Sequence, residues 1–159
     1  MIETNPETTH ERIGEQSIVH RREFAASSAQ VQRAHTDAEI FSRWMGPRGS
    51  RMRIQHFDAR TGGSFDYTVE MDGDWRFWGS YHEVADGRIV HSWEFEAEPG
   101  HPTFETLEFR DLADGSCALK VTSIYTSKAD GDAMAKSGLD GGMEENFDRL
   151  DDVLAGLAL

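Results

Sequence analysis

The sequence predicts an α+β fold in which a curved antiparallel β-sheet wraps around a long C-terminal helix, with two short helices after the first strand. Three observations predict it. From Ser50 to about residue 125, apolar and polar residues alternate with period two between glycine-containing turns, as half-buried strands do. From Met143 to Leu154 the apolar residues recur at helical spacing instead. Between an early strand-like run and this alternating region lie two stretches with helix-capping residues at their starts.

The 159 residues suit one domain, which at this size buries a core without metals or disulfides. No repeat, low-complexity tract or linker divides the chain, so residues 17–159 are expected to form a single domain. Residues 1–16 are polar, with neither a basic start nor an apolar core, and are expected to be a loose tail. Ile18, Val19 and Phe24 mark a strand over 17–25, placed at a sheet edge. Ser27 or Ser28 caps a helix carrying Val31, Ala34 and His35. Thr36 or Asp37 caps a second with Ile40, Phe41 and Trp44, which Gly46 and Pro47 stop. The alternating region then holds six strands.

Asp-Gly dipeptides favour two-residue hairpins, which set cross-strand parity. Around Asp72-Gly73, Phe65 should face Ser80 and Tyr67 should face Trp78, with Val69 on the same side. Around Asp86-Gly87, Val84 should meet Ile89, His82 meet His91, Ser80 meet Trp93 and Trp78 meet Phe95. Both turns then place large side chains on one buried face and leave Tyr81, Trp75 and Phe77 on the other. At Asp114-Gly115 the alternation pairs Leu107 and Phe109 with Leu119 and Val121, which requires an odd-length loop with a bulge and Gly115 left-handed.

In the C-terminal helix, Met143, Phe147, Leu150 and Leu154 form an apolar stripe with Val153 beside it. Glu144, Glu145, Asp148, Asp151 and Asp152 occupy the remaining faces and are expected to be solvated. A helix laid on one concave sheet leaves space at its ends, where a ligand would sit. The expected lining is Phe65, Tyr67 and Val69; Trp78, Ser80 and His82; His91, Trp93 and Phe95; Leu107 and Phe109; Val121 and Ser123; and Met143 and Phe147 from the helix.

Composition narrows the partners. Sixteen Lys and Arg against 29 Asp and Glu leave a net charge of −13, which disfavours nucleic acid and anionic membranes. No apolar run approaches the roughly 20 residues of a membrane span. The lone Cys117 cannot form an internal disulfide and fits a reducing cytoplasm.

Several local words form a pattern. Arg43-Trp44-Met45-Gly46-Pro47, Arg60-Thr61-Gly62-Gly63 before a strand, Gly79-Ser80-Tyr81-His82-Glu83-Val84, Trp93-Glu94-Phe95 and a helix opening at Gly142-Met143 span most of the chain. Together they resemble the family related to the C-terminal domain of the Hsp90 ATPase activator, within the START and Bet v 1-like (SRPBCC) superfamily. The resemblance implies a helix-grip fold and admits ligand binding, co-chaperone work or polyketide-cyclase-like and hydrolase-like catalysis. Met45 stands where relatives carry a second Trp and Met143 where they commonly carry another, which implies a softer cavity.

None of the seven histidines has the spacing of a helical metal pair, so no metal or cofactor is expected. His82 and His91 read first as core or cavity-rim histidines, with catalytic roles as the alternative. No Ser-His-Asp arrangement or G-x-S-x-G is legible. These readings favour non-enzymatic binding of a small apolar or aromatic molecule, with a protein-binding module or a cyclase-like or hydrolase-like enzyme as alternatives. A homodimer through Trp75 and Phe77 is a further expectation.

Overall fold

The computed structural model describes residues 7–137 and 139–157. The strands are β1 (Thr9–Ile13), β2 (Ser17–Phe24), β3 (Arg51–Phe57), β4 (Ser64–Glu70), β5 (Asp74–Ala85), β6 (Arg88–Phe95), β7 (Thr103–Asp111) and β8 (Cys117–Tyr125). The helices are α1 (Ser28–Thr36), α2 (Ala38–Trp44), α3 (Lys128–Lys136) and α4 (Leu139–Leu157). The eight strands form one antiparallel sheet in the order β1-β2-β8-β7-β6-β5-β4-β3, and α4 lies across its concave face. This is the helix-grip α+β architecture.

The expected tail needs correction. Residues 9–13 form β1 and pair with β2, Thr9 opposite Arg21 and Ile13 opposite Ser17. Residues 1–6 of that tail lie outside the described residues. β2 is therefore an inner strand rather than an edge. α3 is a further element that the alternation had not signalled.

The helix starts follow from side-chain chemistry. The Ser27 hydroxyl accepts from Gln30 N–H and Gln30 Oε1 accepts from Ser27 N–H, a reciprocal capping box. Asp37 caps α2 by accepting from Ile40 N–H. Trp44, fully buried, donates its indole N–H to Ala34 O at 2.9 Å and so ties α2 back to α1. Arg149 of α4 donates to Gly46 O at 2.6 Å and Arg43 O at 2.8 Å, satisfying carbonyls at the end of α2.

Beneath the helices, Phe147, Leu150 and Leu154 pack with Phe24, Trp44, Leu107, Phe109, Leu119 and Val121 into one core. Phe147 meets Phe24 edge-on at 5.4 Å. The apolar stripe of α4 is as expected, but its acidic side is not solvated throughout. Arg22 of β2 points into this layer with its side chain fully buried, and donates to Glu144 at 3.0 Å, Asp148 at 2.9 Å and Asp151 at 2.5 Å. Positions i, i+4 and i+7 of α4 thus converge on one buried cation, because a concave sheet reaches around the helix and touches its flank as well as its underside.

Register is where sequence and structure diverge most. Asp72-Gly73 is not a two-residue turn: Glu70 stands opposite Asp74, so Met71, Asp72 and Gly73 form a three-residue loop with Asp72 (φ 50°) and Gly73 (φ 121°) at positive φ. Tyr67 consequently faces Phe77, and Phe65 faces Gly79. Asp86-Gly87 does make the expected turn, with Val84 opposite Ile89. A bulge at His82 then shifts the ladder, so that Tyr81 rather than His82 meets His91, and Phe77 rather than Trp78 meets Phe95. The β4–β5 ladder throughout, and the β5–β6 ladder beyond the bulge, are displaced by one residue, so the two expected registers agreed with each other there while both were off.

Trp78, Ser80 and His82 therefore do not face the helix. Trp78 lies opposite Asp66 and Glu94 on the outer face, while Ser80 and His82 are exposed. Phe77, Gly79 and Tyr81 take their places inside. The Phe65 ring passes over Gly79, where an added Cβ would come within 2.5 Å of it and 1.9 Å of Ser92 O. Trp75 and Phe77 stand on the concave side, which removes the outer patch expected to seed a dimer. The β7–β8 hairpin keeps Leu107 opposite Val121 and Phe109 opposite Leu119, with a five-residue loop, Leu112–Ser116, and Gly115 at φ 86°. Its loop is odd as expected, but the register runs through without a bulge.

Candidate functional site

Beyond the part filled by α4, the concave face carries an aromatic row. Phe77 packs on Tyr67 at 5.6 Å, Phe95 at 5.1 Å and Trp93 at 6.0 Å, and Phe95 stacks on Trp75 at 5.7 Å. Phe77, Trp93 and Phe95 are only half-buried, and Trp75 is 46% exposed. Met143 of α4 is partly buried against the same core. This open aromatic end adjoins a polar row across the middle of the sheet: Ser123 on β8, Glu105 on β7, His91 on β6 and Tyr81 on β5.

Glu105 organises that row. Its Oε2 accepts from the Ser123 hydroxyl at 2.6 Å, and its Oε1 lies 3.4 Å from His91 Nε2. His91 Nδ1 lies 3.1 Å from the Ser92 carbonyl oxygen. The His91 and Glu105 side chains retain 15% and 14% exposure, so the pair is partly accessible. The His91 ring lies 5.8 Å from Phe65 and 6.0 Å from Tyr81.

Electrostatics keep most of the neighbourhood neutral. Burial raises the phenols of Tyr67 and Tyr81 above the ordinary tyrosine range, with the Glu105 charge adding to the effect on Tyr67. Burial lowers His35 of α1 to about 4, with His91 nearby acting in the same direction. His35 donates from Nδ1 to Val31 O at 2.8 Å and packs on Trp44 and Phe109. The Cys117 thiol is pushed up to about 11 by burial, which argues against a thiolate nucleophile.

Of the expected lining, Phe65, Tyr67, Val69, His91, Trp93, Phe95, Leu107, Phe109, Val121, Ser123, Met143 and Phe147 lie on the helix side of the sheet. Leu107, Phe109, Val121 and Phe147 are core residues under the helices. The sequence reading missed Glu105, Phe77 and Tyr81. Glu105 was within reach: it shares parity with Leu107 and Phe109, so their inward assignment carries it inward too.

Ser123, Glu105 and His91 do not form a hydrolase triad. The serine proton is given to the carboxylate, not to the imidazole, so the hydroxyl lacks the base that would activate it. Among the described residues, no group of three or more His, Cys, Asp or Glu is placed to hold a metal ion, and no helix is long and apolar enough to cross a membrane. Two further clefts lie away from the polar row. One of about 460 Å³ runs between α1 and the β5–β6 turn; another of about 560 Å³ borders β2, β7 and β8.

The family model described as "Activator of Hsp90 ATPase homolog 1-like protein" matches residues 25–155. No curated protein matches the chain. Among solved structures, a Rhodobacter sphaeroides protein is 25% identical, with a TM-score of 0.86 over 95% of this chain and 99% of its own. An Arthrobacter aurescens protein is 21% identical, with a TM-score of 0.84 over 93% and 91%. CalU16 from Micromonospora echinospora is 21% identical, with a TM-score of 0.62 over 96% and 87%.

Proposed function

The chain belongs to the family of activator of Hsp90 ATPase homolog 1-like proteins, and from that premise we propose that it binds a small aromatic molecule, without catalysis, at the open end of the concave face. The observation that carries this reading is the adjacency of the half-buried Phe77, Trp93 and Phe95 to the partly accessible Glu105–His91 pair. Aromatic walls supply burial and a few polar groups fix orientation, the usual division of labour in a small-molecule site. The engaged Ser123 hydroxyl and the protonated Cys117 thiol favour binding over covalent chemistry. The single cysteine suits a cytoplasmic setting.

The experiment is a screen of aromatic compounds by two-dimensional NMR on the labelled full chain. Shifts centred on Phe77, Trp93, Phe95 and Glu105 support the site. Shifts confined to the cleft between α1 and the β5–β6 turn overturn it.

A second reading, docking of a protein partner, draws on a different surface. Ile13, Ile124 and Phe104 are 49%, 42% and 43% exposed and fall in one cross-strand row on the outer face. Loss of a partner on Phe104→Ser, with aromatic binding retained, would favour that reading.

A further inference from the structure

We propose that the ligand's polar handle is a protonated amine, received between the carboxylate of Glu105 and the imidazole of His91. This rests on the pocket reading above and adds the chemical class of the ligand.

The argument begins with the His91 tautomer. Nδ1 lies 3.1 Å from the Ser92 carbonyl oxygen, which can only accept, so Nδ1 carries a hydrogen and donates it. In the neutral ring Nε2 is then an acceptor. It stands 3.4 Å from Glu105 Oε1, which is also an acceptor. The carboxylate's other oxygen, Oε2, is already engaged by Ser123 at 2.6 Å. With His91 neutral, two lone-pair sites from two strands converge on one point, Nε2 and Oε1 facing each other at 3.4 Å. Such a point is satisfied by a donor, and best by a cation.

The candidate handles differ in what they bring. An ammonium offers three N–H donors and a positive charge, enough to bond Oε1 and Nε2 together; an alcohol offers one donor, and a carboxylate none. The flanking rings act in the same sense, since aromatic faces attract cations. An anionic handle would meet Glu105 directly. Of the guanidiniums on this side of the sheet, Arg22 is fully buried and held by Glu144, Asp148 and Asp151, and Arg12 is held by Asp132. Partial burial of Glu105, at 14% exposure, strengthens its pull on a bound cation relative to a carboxylate in open water. The competing arrangement is a doubly protonated His91 that closes on Glu105 as an internal ion pair and leaves no place for an amine.

The test titrates the full chain by calorimetry with three probes sharing one aromatic body: 1-naphthylmethylamine, 1-naphthylmethanol and 1-naphthoic acid. The ranking is read at neutral pH in about 1 M salt, where a Debye length of about 3 Å suppresses the general attraction of an acidic protein for cations. The amine should bind at least about tenfold tighter than the alcohol, the range of a charge-assisted hydrogen bond, and the acid weakest. Glu105→Gln should weaken the amine far more than the alcohol and close most of the gap between them. The wild-type ranking decides the matter by itself if that variant fails to fold. An acid that binds as tightly as the amine, or an amine preference that survives Glu105→Gln largely intact, overturns the proposal while the pocket stands. Absence of binding by all three probes overturns the pocket reading and this one with it.

Discussion

The guanidinium of Arg22 and the carboxylate of Asp151 meet at 2.5 Å beneath α4, the first with its side chain fully buried and the second 36% exposed. Burial, joined by the charges of Asp148 and Asp152, raises the Asp151 carboxyl despite its contact with Arg22, so the pair is opposed by desolvation as well as held by charge. Asp151→Ala should cost about 1–2 kcal/mol, since Glu144 and Asp148 remain to serve the cation. Arg22→Ala should cost at least about 3 kcal/mol, because three carboxylates lose their shared partner. Urea unfolding of both variants measures the order. An Asp151→Ala loss within about 0.5 kcal/mol, as for a solvated surface charge, would mean that the contact does not tether α4.

Leu150 is fully buried in the core under α4. Leu150→Ala removes a branched side chain and leaves a cavity, and should cost about 2–5 kcal/mol. A midpoint in urea equal to that of the wild type would show that the helix does not grip the sheet as described.

Glycines on the sheet and on the helix should respond oppositely to alanine. At Gly79 an added Cβ would stand 1.9 Å from Ser92 O and 2.5 Å from the Phe65 ring. Backbone cannot give way there, so Gly79→Ala should cost several kcal/mol or prevent folding. Gly142, in α4, has open space around the corresponding point, and Gly142→Ala should stabilise by roughly 0.5–1 kcal/mol through helix propensity. Thermal melts of the two variants should move in opposite directions.

His35 makes stability depend on pH. Its folded-state value is lowered from 6.5 to about 4 by burial. Below about 6.5 the unfolded chain takes up a proton that the folded chain refuses until about 4. Stability from the neutral core imidazole is therefore fully present above about 6.5 and lost as pH falls toward 4. At pH 5 the loss should be roughly 2 kcal/mol. His35→Phe should remove that share of the acid sensitivity, read as a smaller drop in unfolding free energy between pH 7.5 and 5. Equal drops in both proteins would place the sensitivity elsewhere.

What the sequence determined by itself was local and periodic. Ser27 and Asp37 announced two helices because a side-chain oxygen before a helical run meets its free N–H groups. The stripe from Met143 to Leu154 announced α4, and alternation announced the six strands β3–β8 and the Leu107–Val121 and Phe109–Leu119 pairs. The family words carried the architecture. The tertiary structure decided which residues of β5 face the helix. One extra loop residue at Met71–Gly73 and one bulge at His82 exchange Trp78, Ser80 and His82 for Phe77, Gly79 and Tyr81. A strand's parity turns on a single residue, and a dipeptide's turn preference is small beside the burial of Phe65 over Gly79 and of Phe77 between Tyr67 and Phe95. The same holds for charge. Glu144, Asp148 and Asp151 look like a wet face until a strand 122 or more residues away in sequence brings Arg22 against them, because long-range contacts leave no periodic mark in the chain.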